Sequence, residues 1–446
     1  MNKQDDKQER VTPKLRFPEF QTTLGWDKHI LNDYSEIVRG GSPRPIDNYL
    51  TKNINGLNWL KIGDVDKDAK YVTKTEERVI SEALSKTREV SRGDFILSNS
   101  MSFGRPYILQ IDTCIHDGWI AITNIDERLD KNYLYYLILT SSCQNYFLKN
   151  AAGSSVLNLN AEIIKSLPIT LPKIEEQQKI ADCLSSIDEL IELQEQKLAA
   201  LKQHKKGLMQ QLFPSHNDLQ ASKQASKQAS KQASKQASKQ ASKQAIVYPK
   251  LRFPQFKDCK GWEIVELEEL FDLTIQNEKA NSFDKDKIIT VKLHTLGVVK
   301  NERTDTLTGG ANYFHRKAGD FIFSKIDFLN GAFGIVPNEL DGFCSSSDIP
   351  SFSFKPESNA NFFMYWLKAN YLDFKIERAG TSNTLKRISP KALFAMHLPI
   401  PLPEEQQAIA DCLSSLDKLI SEENEQIGRL KDHKKGLMQQ LFPKIQ

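Results

Sequence analysis

The sequence lacks any apolar run that approaches the ~18 residues a membrane span requires. Its first ten residues are rich in charge, without the apolar stretch and small-residue cleavage site of a signal peptide. These absences argue against a membrane role and predict a cytoplasmic protein. Cysteine is also scarce: six residues in a chain of 446, none in a Cys-x-x-Cys pair, are expected to be free thiols.

The usual signatures of catalysis are missing as well. The chain has no G-x-x-x-x-G-K-[ST] phosphate loop, no G-x-G-x-x-G fingerprint, no H-E-x-x-H helix and no G-x-S-x-G elbow. A run of Asn or Asp, two prolines and an aromatic residue, which positions an amino group for methyl transfer, is also absent. His204 and His433 lie in Lys-rich turns without a second ligand at metal spacing. Asp94 and Asp320 follow glycine, where turn capping is a simpler role than acid catalysis.

Positive charge is concentrated in one segment. The net charge is +3, and residues 215–248 carry six lysines and one aspartate, so the rest of the chain sums to 3 − 5 = −2. Phosphate neutralisation by Lys and Arg supplies most non-specific affinity for nucleic acid. A nucleic-acid role therefore requires local basic patches or help from a partner.

The sequence repeats itself in two places, which is a strong guide to architecture. PKLRFPEF at residues 13–20 recurs as PKLRFPQF at 249–256. Further along, residues 175–214 match 404–443 without a gap, and 27 of the 40 positions are identical. Between these segments the two halves diverge strongly. The chain is therefore ordered as variable, constant, variable, constant.

Both constant segments predict long helices. Apolar side chains follow alternating steps of three and four over about 39 residues, or ~58 Å at 1.5 Å per residue, interrupted by Gln194 and Lys205 in the first copy. So narrow a stripe is typical of a coiled coil. Phe213-Pro214 and Phe442-Pro443 are expected to end the helices. The seam positions predicted to form a subunit interface are Leu184, Ile191, Leu198, Leu208, Leu413, Ile420, Ile427 and Leu437.

Two features leave alternatives open. Gly207 and Gly436 interrupt good helix formers at a cost of about 1 kcal/mol each, so either the helix frays there or a partner backbone approaches closely. Six tandem copies of Ala-Ser-Lys-Gln occupy residues 221–244. Ala, Lys and Gln favour helix and six serines weaken it. The tract is either a solvated, partly helical spacer or a disordered linker.

The variable segments predict mixed α and β structure, because short β-branched and aromatic runs alternate with Gly, Asn, Asp and Pro clusters. Strands are expected at residues 94–97, 119–123, 321–323 and 351–354, and aromatic-rich helices at 133–148 and 361–377.

Polar loops in both variable segments carry side chains suited to nucleic acid. Arginine pairs with guanine, Asn or Gln with adenine, and backbone amides near glycine bind phosphate. Ordinary surface turns have the same composition, so each loop alone is weak evidence. The candidate DNA-binding residues are Arg39, Ser42, Arg44, Lys61, Asn99, Ser102, Arg105, Ser154, Ser155, Gln276, Lys292, Ser324, Lys325, Asn330, Thr381, Ser382, Asn383, Lys386 and Arg387.

Several motifs occur together in an uncommon combination. Gly25-Trp26 follows the module opening, VRGGSPRP begins at Val38, and NWLKIGDV begins at Asn58. An A-G-S/T-S turn occurs in each half, and LPKIEEQ and LPEEQ lead into the two long helices. With these motifs nearly the whole chain resembles the specificity subunits of Type I restriction-modification systems. The second module has no copy of GGSPRP and shows TIQN at 274–277 instead, which leaves its DNA-facing loop open.

The resemblance implies an α+β fold: two mixed α/β target-recognition domains separated by two long antiparallel coiled-coil helices, as a pseudo-twofold internal repeat. Each domain would read one part of an asymmetric, interrupted duplex DNA site. Recognition of two different half-sites requires two divergent modules on copies of one frame, which is what the sequence shows. The expected domains are 1–170 and 249–400 for target recognition, 171–214 and 401–446 for the conserved helices, and 215–248 for the linker.

The resemblance also implies partners. Two modification subunits would methylate adenine with S-adenosylmethionine, and restriction subunits would use ATP and Mg, while this chain itself is expected to be non-catalytic and without cofactor. A pseudo-twofold frame offers equivalent docking faces to two identical partners. Two alternatives stand beside this interpretation. The near-neutral modules favour a coiled-coil adaptor that binds proteins, and an enzyme with an unrecognised site is opposed by the missing motifs.

Overall fold

The computed structural model describes residues 10–99, 103–151, 158–233, 245–280, 284–303, 312–374 and 387–444. The chain forms two compact units, Met1–Gln196 with Asn424–Gln446, and Lys197–Glu423. Each unit contains one variable module and one half of each long helix. The boundary between the units therefore falls inside the helices.

The variable module of the first unit is built from short strands. They are β1 (Asp27–Ile30), β2 (Glu36–Arg39), β3 (Leu50–Thr51), β4 (Leu57–Leu60), β5 (Tyr71–Val72), β6 (Glu77–Val79), β7 (Arg88–Val90), β8 (Phe95–Ser98), β9 (Pro106–Leu109), β10 (Thr113–Ile115), β11 (Trp119–Thr123) and β12 (Pro168–Leu171). Two five-stranded sheets have the orders β3-β6-β4-β10-β7 and β2-β11-β8-β9-β5, and β1 pairs with β12.

The helices of this unit are α1 (Lys131–Leu139), α2 (Ser141–Asn150), α3 (Ala161–Lys165) and α4 (Ile174–Leu212). Residues 133–148, predicted to form one helix, belong to two, because the Thr140 hydroxyl accepts from Cys143 N (3.3 Å) and starts α2. Successive side chains of β11 point to opposite faces of its sheet and pack in two different hydrophobic cores. Ile120 and Ile122 pack with the α1 residues, whereas Trp119 and Ala121 pack with side chains of the other five-stranded sheet.

The second unit repeats the plan with shorter sheets. In chain order it has α5 (His216–Ala233), β13 (Ile246–Val247), β14 (Trp262–Glu266), β15 (Ile289–Val291), β16 (Val298–Lys300), β17 (Tyr313–His315), β18 (Phe321–Phe323), β19 (Phe333–Ile335), β20 (Cys344–Ser346), β21 (Ser351–Phe352), α6 (Ala360–Asn370), α7 (Pro390–Phe394), β22 (His397–Ile400) and α8 (Pro403–Leu441). The sheet orders are β13-β14-β22, β19-β18-β21, β15-β16 and β17-β20.

Phenylalanines dominate the core of this second unit. Phe271 contacts the rings of Phe321, Phe363 and Phe394, with centroids 5.2–5.7 Å apart. The helix predicted at 361–377 ends as α6 at Asn370 and is followed by a 3-10 turn. The last three residues of that prediction lie outside the described ranges.

The long helices α4 and α8 have 39 residues each and stop before Phe-Pro, as predicted. Within the first unit, Asp188 accepts from Lys434 (2.5 Å) and Glu195 from Lys431 (2.7 Å). Residue numbers rise along α4 as they fall along α8, so the two segments run antiparallel. The second unit shows the same direction in the pairs Lys197–Glu423 and Lys205–Asp417.

Equivalent polar contacts join each helix start to its own module. Arg16 binds both carboxylate oxygens of Glu176 (2.6 and 2.7 Å), and Arg252 binds those of Glu405 (2.8 and 2.6 Å). We call these two pairs the helix sockets. Their repetition confirms that the two halves of the chain are copies of one frame.

Four of the seam residues predicted as a subunit interface pack in or against the chain's own cores: Leu184, Leu208, Leu413 and Leu437. Leu184 has no exposed surface in the first unit, and Leu413 has none in the second. Gly207 and Gly436 face open space, and no described residue of another segment closely approaches either glycine.

The Ala-Ser-Lys-Gln tract begins as helix. Ser215 and Asp218 cap α5 reciprocally, and α5 covers the first three copies, which confirms a partly helical tract over those copies. The helical conformation is interrupted at residues 213–215, between α4 and α5, as predicted. Two hydrogen bonds bring the two ends of the tract together: Ser222 Oγ, in the first copy, donates to Ile246 O (2.6 Å), and Leu251 N donates to Gln211 O (2.9 Å). Residues 234–244 lie outside the described ranges.

The six cysteines are unpaired. His204 and His433 are exposed, as expected of residues in Lys-rich turns. Asp94 accepts from Ser91 N (2.9 Å), which confirms its turn-capping role. Asp320 instead accepts from the hydroxyls of serines in and after β21, so its predicted turn cap is wrong. Within the described ranges, no helix is both long and apolar enough to cross a bilayer.

Candidate nucleic-acid interface

In the first module, the ends of four strands meet along one edge. Strands β4 and β10 are parallel, with Leu60 paired to Ile115, so the chain leaves both at the same side. Strand β11 is antiparallel to β2 and β8, and its first residues pair with the last residues of both. Residues 39–44, 61, 99 and 116–118 therefore form one continuous edge, the first rim. It includes five predicted residues: Arg39, Ser42, Arg44, Lys61 and Asn99.

Asp117 is the central acceptor of this rim. Its carboxylate accepts from Ser42 Oγ (2.7 Å) and lies 3.4 Å from a guanidinium nitrogen of Arg44. Its backbone carbonyl accepts from Arg39 Nε and from Asn99 Nδ2, both at 3.2 Å. Asp117, which was not predicted, thus contacts four predicted residues from two loops.

The electrostatics of the rim follow from these contacts. The Ser42 hydroxyl chiefly lowers the pKa of Asp117, with smaller contributions from His116 and Arg44, so the carboxylate is ionised at neutral pH. Burial lowers the pKa of His116. The backbone N–H groups of Gly118 and Ile62 point at the two nitrogens of its ring, at 2.7 and 3.2 Å. A doubly protonated ring would face two donors, so the neutral form is favoured.

Two predicted cations are engaged elsewhere. Lys61 lies on the rim but pairs with Glu77 (2.9 Å), and that hydrogen bond raises the pKa of Lys61. The backbone of Arg105 lies beside the end of β8, but its side chain points towards Asp68 (3.6 Å). The side chain lines a cavity of about 880 Å³ that α4 residues also line. Arg105 therefore does not join the first rim.

The rim residues differ in accessibility. The Arg44 side chain is 82% exposed, and Arg39 is also exposed. Asn99 is buried, and its side-chain amide donates a hydrogen bond to the Asp117 carbonyl. The arginines can reach phosphates or base edges without rearrangement of the backbone, whereas Asn99 holds the loops together.

The second module presents an equivalent edge despite its different sequence. Strands β18 and β21 correspond to β8 and β11, since Gly-Asp precedes β8 and β18 and both of these strands begin with Phe-Ile. Lys325 N donates to Asp348 O (2.9 Å), as Asn99 N donates to Gly118 O (3.0 Å) in the first module. Asp348 thus lies one position beyond the equivalent of Asp117.

Asp348 organises this second rim, which comprises residues 324–325, 348 and 387. Arg387 binds both carboxylate oxygens of Asp348 at 2.9 Å, and this pairing chiefly lowers the pKa of Asp348. Ile388 N donates to Lys325 O (2.8 Å), which brings the two predicted cations together. An arginine in contact with a carboxylate therefore lies at the same strand end in both modules.

Other predicted residues of the second module lie in neighbouring loops. Ser324 is buried and accepts from Asp327 N (3.2 Å), so it caps a turn. Asn330 donates to Asp327 Oδ1 (3.0 Å), and its carbonyl accepts from His294 N (2.8 Å). That bond brings the loop with the exposed Lys292 next to the loop of Asn330.

Gln276 is exposed beside Asn277, whose amide donates to Ser351 O (2.7 Å). The remaining predicted residues lie outside the described ranges: Ser102, Ser154, Ser155, Thr381, Ser382, Asn383 and Lys386.

The residues that sequence reasoning missed are the two carboxylates. The sequence prediction considered side chains that donate hydrogen bonds to phosphate or neutralise its charge. An acidic side chain does neither. The available signal was positional, because Asp117 and Asp348 both shortly precede strands that the sequence did predict. Their pairing with arginines from distant loops carries no sequence signal.

A duplicated α+β module, with a polar strand-end rim on each copy and paired long helices, is a distinctive class of architecture. The chain belongs to the family described as the Type I restriction modification DNA specificity domain, which matches residues 24–203 and 259–431. This confirms the family expected from the sequence motifs.

Known relatives agree along the whole chain. The putative type I restriction enzyme MjaX specificity subunit of Methanocaldococcus jannaschii is 24% identical over 437 residues, which cover 94% of this chain and 92% of that protein. The MjaVIII specificity subunit of the same organism is 22% identical over 447 residues, covering 96% and 93%. A crystal structure of the S subunit from M. genitalium has a TM-score of 0.54 at 15% identity, covering 98% of this chain and 100% of that one.

Proposed function

We propose that this chain is the DNA-recognition subunit of a Type I restriction-modification complex, and that each module reads one half of an asymmetric, interrupted duplex site. The observation that carries the proposal is the pair of equivalent rims. Each lies at the same strand end of its module and presents arginines beside an ordered carboxylate. Similar placement with divergent side chains is what two different half-sites require.

The rims also explain how modules with little net charge could bind DNA. Arg39 and Arg44 are exposed on one edge of the first module, and Arg387 and Lys325 meet on one edge of the second. A local patch of this kind can contact phosphates and base edges although the module as a whole is near neutral.

The proposal extends to partners and their chemistry. Two modification subunits would dock on the pseudo-twofold frame and methylate adenine with S-adenosylmethionine, and restriction subunits would use ATP and Mg to cleave DNA. The support is the repetition of the helix sockets, which gives two identical partners equivalent faces. In this proposal the chain contributes recognition and no catalytic group.

An exchange of modules tests the proposal. Replacing residues 21–160 by the equivalent region of a relative, in cells with the complete system, should change one half of the methylated sequence and leave the other intact. Mapping methylated adenines across the genome measures this. The reciprocal exchange of residues 257–389 is the matched control and should change only the other half.

Two outcomes would contradict the proposal. If both halves change together, or neither changes, the modules do not read half-sites independently. The purified complex should also bind duplex DNA in a sequence-selective and salt-dependent manner. Absence of such binding would favour the coiled-coil adaptor instead.

A further inference from the structure

We propose that Asp117 is a specificity-determining residue of the first module, whose outward carboxylate oxygen accepts a hydrogen bond from the exocyclic amino group of a base in the major groove. The inference rests on the proposed function, since it assigns a reading role within the first rim. It concerns a residue that neither the motifs nor the predicted basic loops include.

The two oxygens of this carboxylate have different surroundings. Oδ1 accepts a short hydrogen bond from Ser42 Oγ (2.7 Å), which fixes the orientation of the side chain. Among the described residues, Oδ2 has only the guanidinium of Arg44, at 3.4 Å, and both side chains are substantially exposed. A long ion pair between exposed groups contributes little, so Oδ2 can accept a different donor at low cost.

A carboxylate is an unusual group on a surface that meets phosphates, which repel it. Its benefit is selectivity, because an ionised carboxylate only accepts hydrogen bonds. In the major groove, the amino groups of adenine and cytosine donate, whereas the oxygens of guanine O6 and thymine O4 accept. Asp117 would therefore favour adenine or cytosine on one strand at one position and repel guanine or thymine there.

The second module supports the distinction by contrast. Asp348 lies at nearly the same place, but Arg387 occupies both of its oxygens at 2.9 Å. That carboxylate orients an arginine through both of its oxygens. The same strand end would thus read a base amino group in one module and present a guanidinium in the other.

The variant Asp117→Asn tests the proposal with little change in shape. An amide can both donate and accept, so it does not discriminate amino from carbonyl groups. The complete complex is purified with its partner subunits, and binding is measured at fixed salt on duplexes carrying the recognised site, permuted at one base pair at a time. The wild-type complex should prefer adenine or cytosine by roughly tenfold at one position. Asp117→Asn should lose that preference at that position alone.

The matched control is Asp126→Asn. Asp126 is a carboxylate beyond the other end of β11, where it pairs with Arg128 at 2.9 Å. It undergoes the same change of charge and should keep every base preference. Ser42→Ala is a second variant, which releases Oδ1 and should weaken discrimination at the same position as Asp117→Asn.

Two results would overturn the proposal. Asp117→Asn could retain the full wild-type preference, which would show that the carboxylate reads no base. It could instead bind all duplexes more tightly with unchanged preference, which would show that Asp117 only restrains Arg44. If the wild-type complex itself shows no sequence selectivity, the proposed function of the chain fails, and this result is distinct from the other two.

Discussion

Single residues at the helix sockets connect each recognition module to its helix. Glu176 and Arg16 are almost fully buried and satisfy each other through two hydrogen bonds. Glu405 makes the same contacts with Arg252 and accepts in addition from Trp262 Nε1 (3.2 Å). A buried pair of this kind fixes geometry, and its loss leaves an unpaired charge inside the protein.

Replacing Glu176 by Ala should therefore destabilise the first unit strongly. The buried Arg16 guanidinium would lose its only carboxylate partner among the described residues and keep the carbonyls of Thr23 and Leu24, and we expect the free energy of unfolding to fall by about 3 kcal/mol. Urea unfolding followed by tryptophan fluorescence measures this. Arg10→Ala is the control, because its ion pair with Asp27 is exposed and should contribute less than about 1 kcal/mol. Equal effects of the two substitutions would show that the socket has no special role.

The repeats found in the sequence contain both partners of each socket, but neither their role nor their pairing was predicted. Arg16 and Arg252 lie in the repeated module opening, and Glu176 and Glu405 lie in the repeated helix start. Their contact joins segments far apart in the chain, and hydrogen-bond geometry between such segments leaves no local pattern. The same reason explains why the rim arginines were predicted and the carboxylates that hold them were not.

At the scale of secondary structure, local patterns succeeded wherever they were long or strongly apolar. Strands Trp119–Thr123 and Phe321–Phe323 and both 39-residue helices have the predicted positions. The interruption at Thr140 was missed, because one hydroxyl that caps a helix does not disturb a run of aromatic residues. Asp320 was misread for a similar reason, since its serine partners come from another strand.

The helix seam gives a prediction at this scale. Leu184 has no exposed surface and packs in the core of the first unit. Leu184→Asp would bury an unpaired charge, which costs several kcal/mol, so the unit should unfold at a markedly lower Tm. Leu190→Asp, on the same helix but 42% exposed, is the matched control and should leave the Tm nearly unchanged. Similar Tm values for the two variants would mean that Leu184 is not a core residue.

At the scale of the whole molecule, the repeat order gave the architecture, and the family gives the class of activity. The duplicated frame, the antiparallel direction of the helices and the mixed α and β modules were all predicted. The detailed surfaces were less accessible to prediction. Seven candidate residues lie outside the described ranges, and those within them divide between the rims, neighbouring loops and other contacts.

The tract of Ala-Ser-Lys-Gln copies yields a prediction at this scale. As a continuous helical ruler, each copy would add about 6 Å, close to two base pairs, so that removing copies would shorten the unread gap in the target. The hydrogen bonds from Ser222 to Ile246 and from Leu251 to Gln211 instead bring the two ends of the tract together. We therefore expect that deleting three copies leaves the gap and the activity unchanged, as mapped from methylated sites. A gap shortened in step with the deletion would establish the ruler.

Because hydrogen bonds bring the two ends of the tract together, the number of copies in the gene can vary. A segment that leaves the fold and returns to the same place can be lengthened or shortened without loss of the contacts around it. Tandem repeats are prone to gain and lose copies during replication. By lying in such an excursion, the tract would let copy number drift while the recognition modules on either side keep their structure.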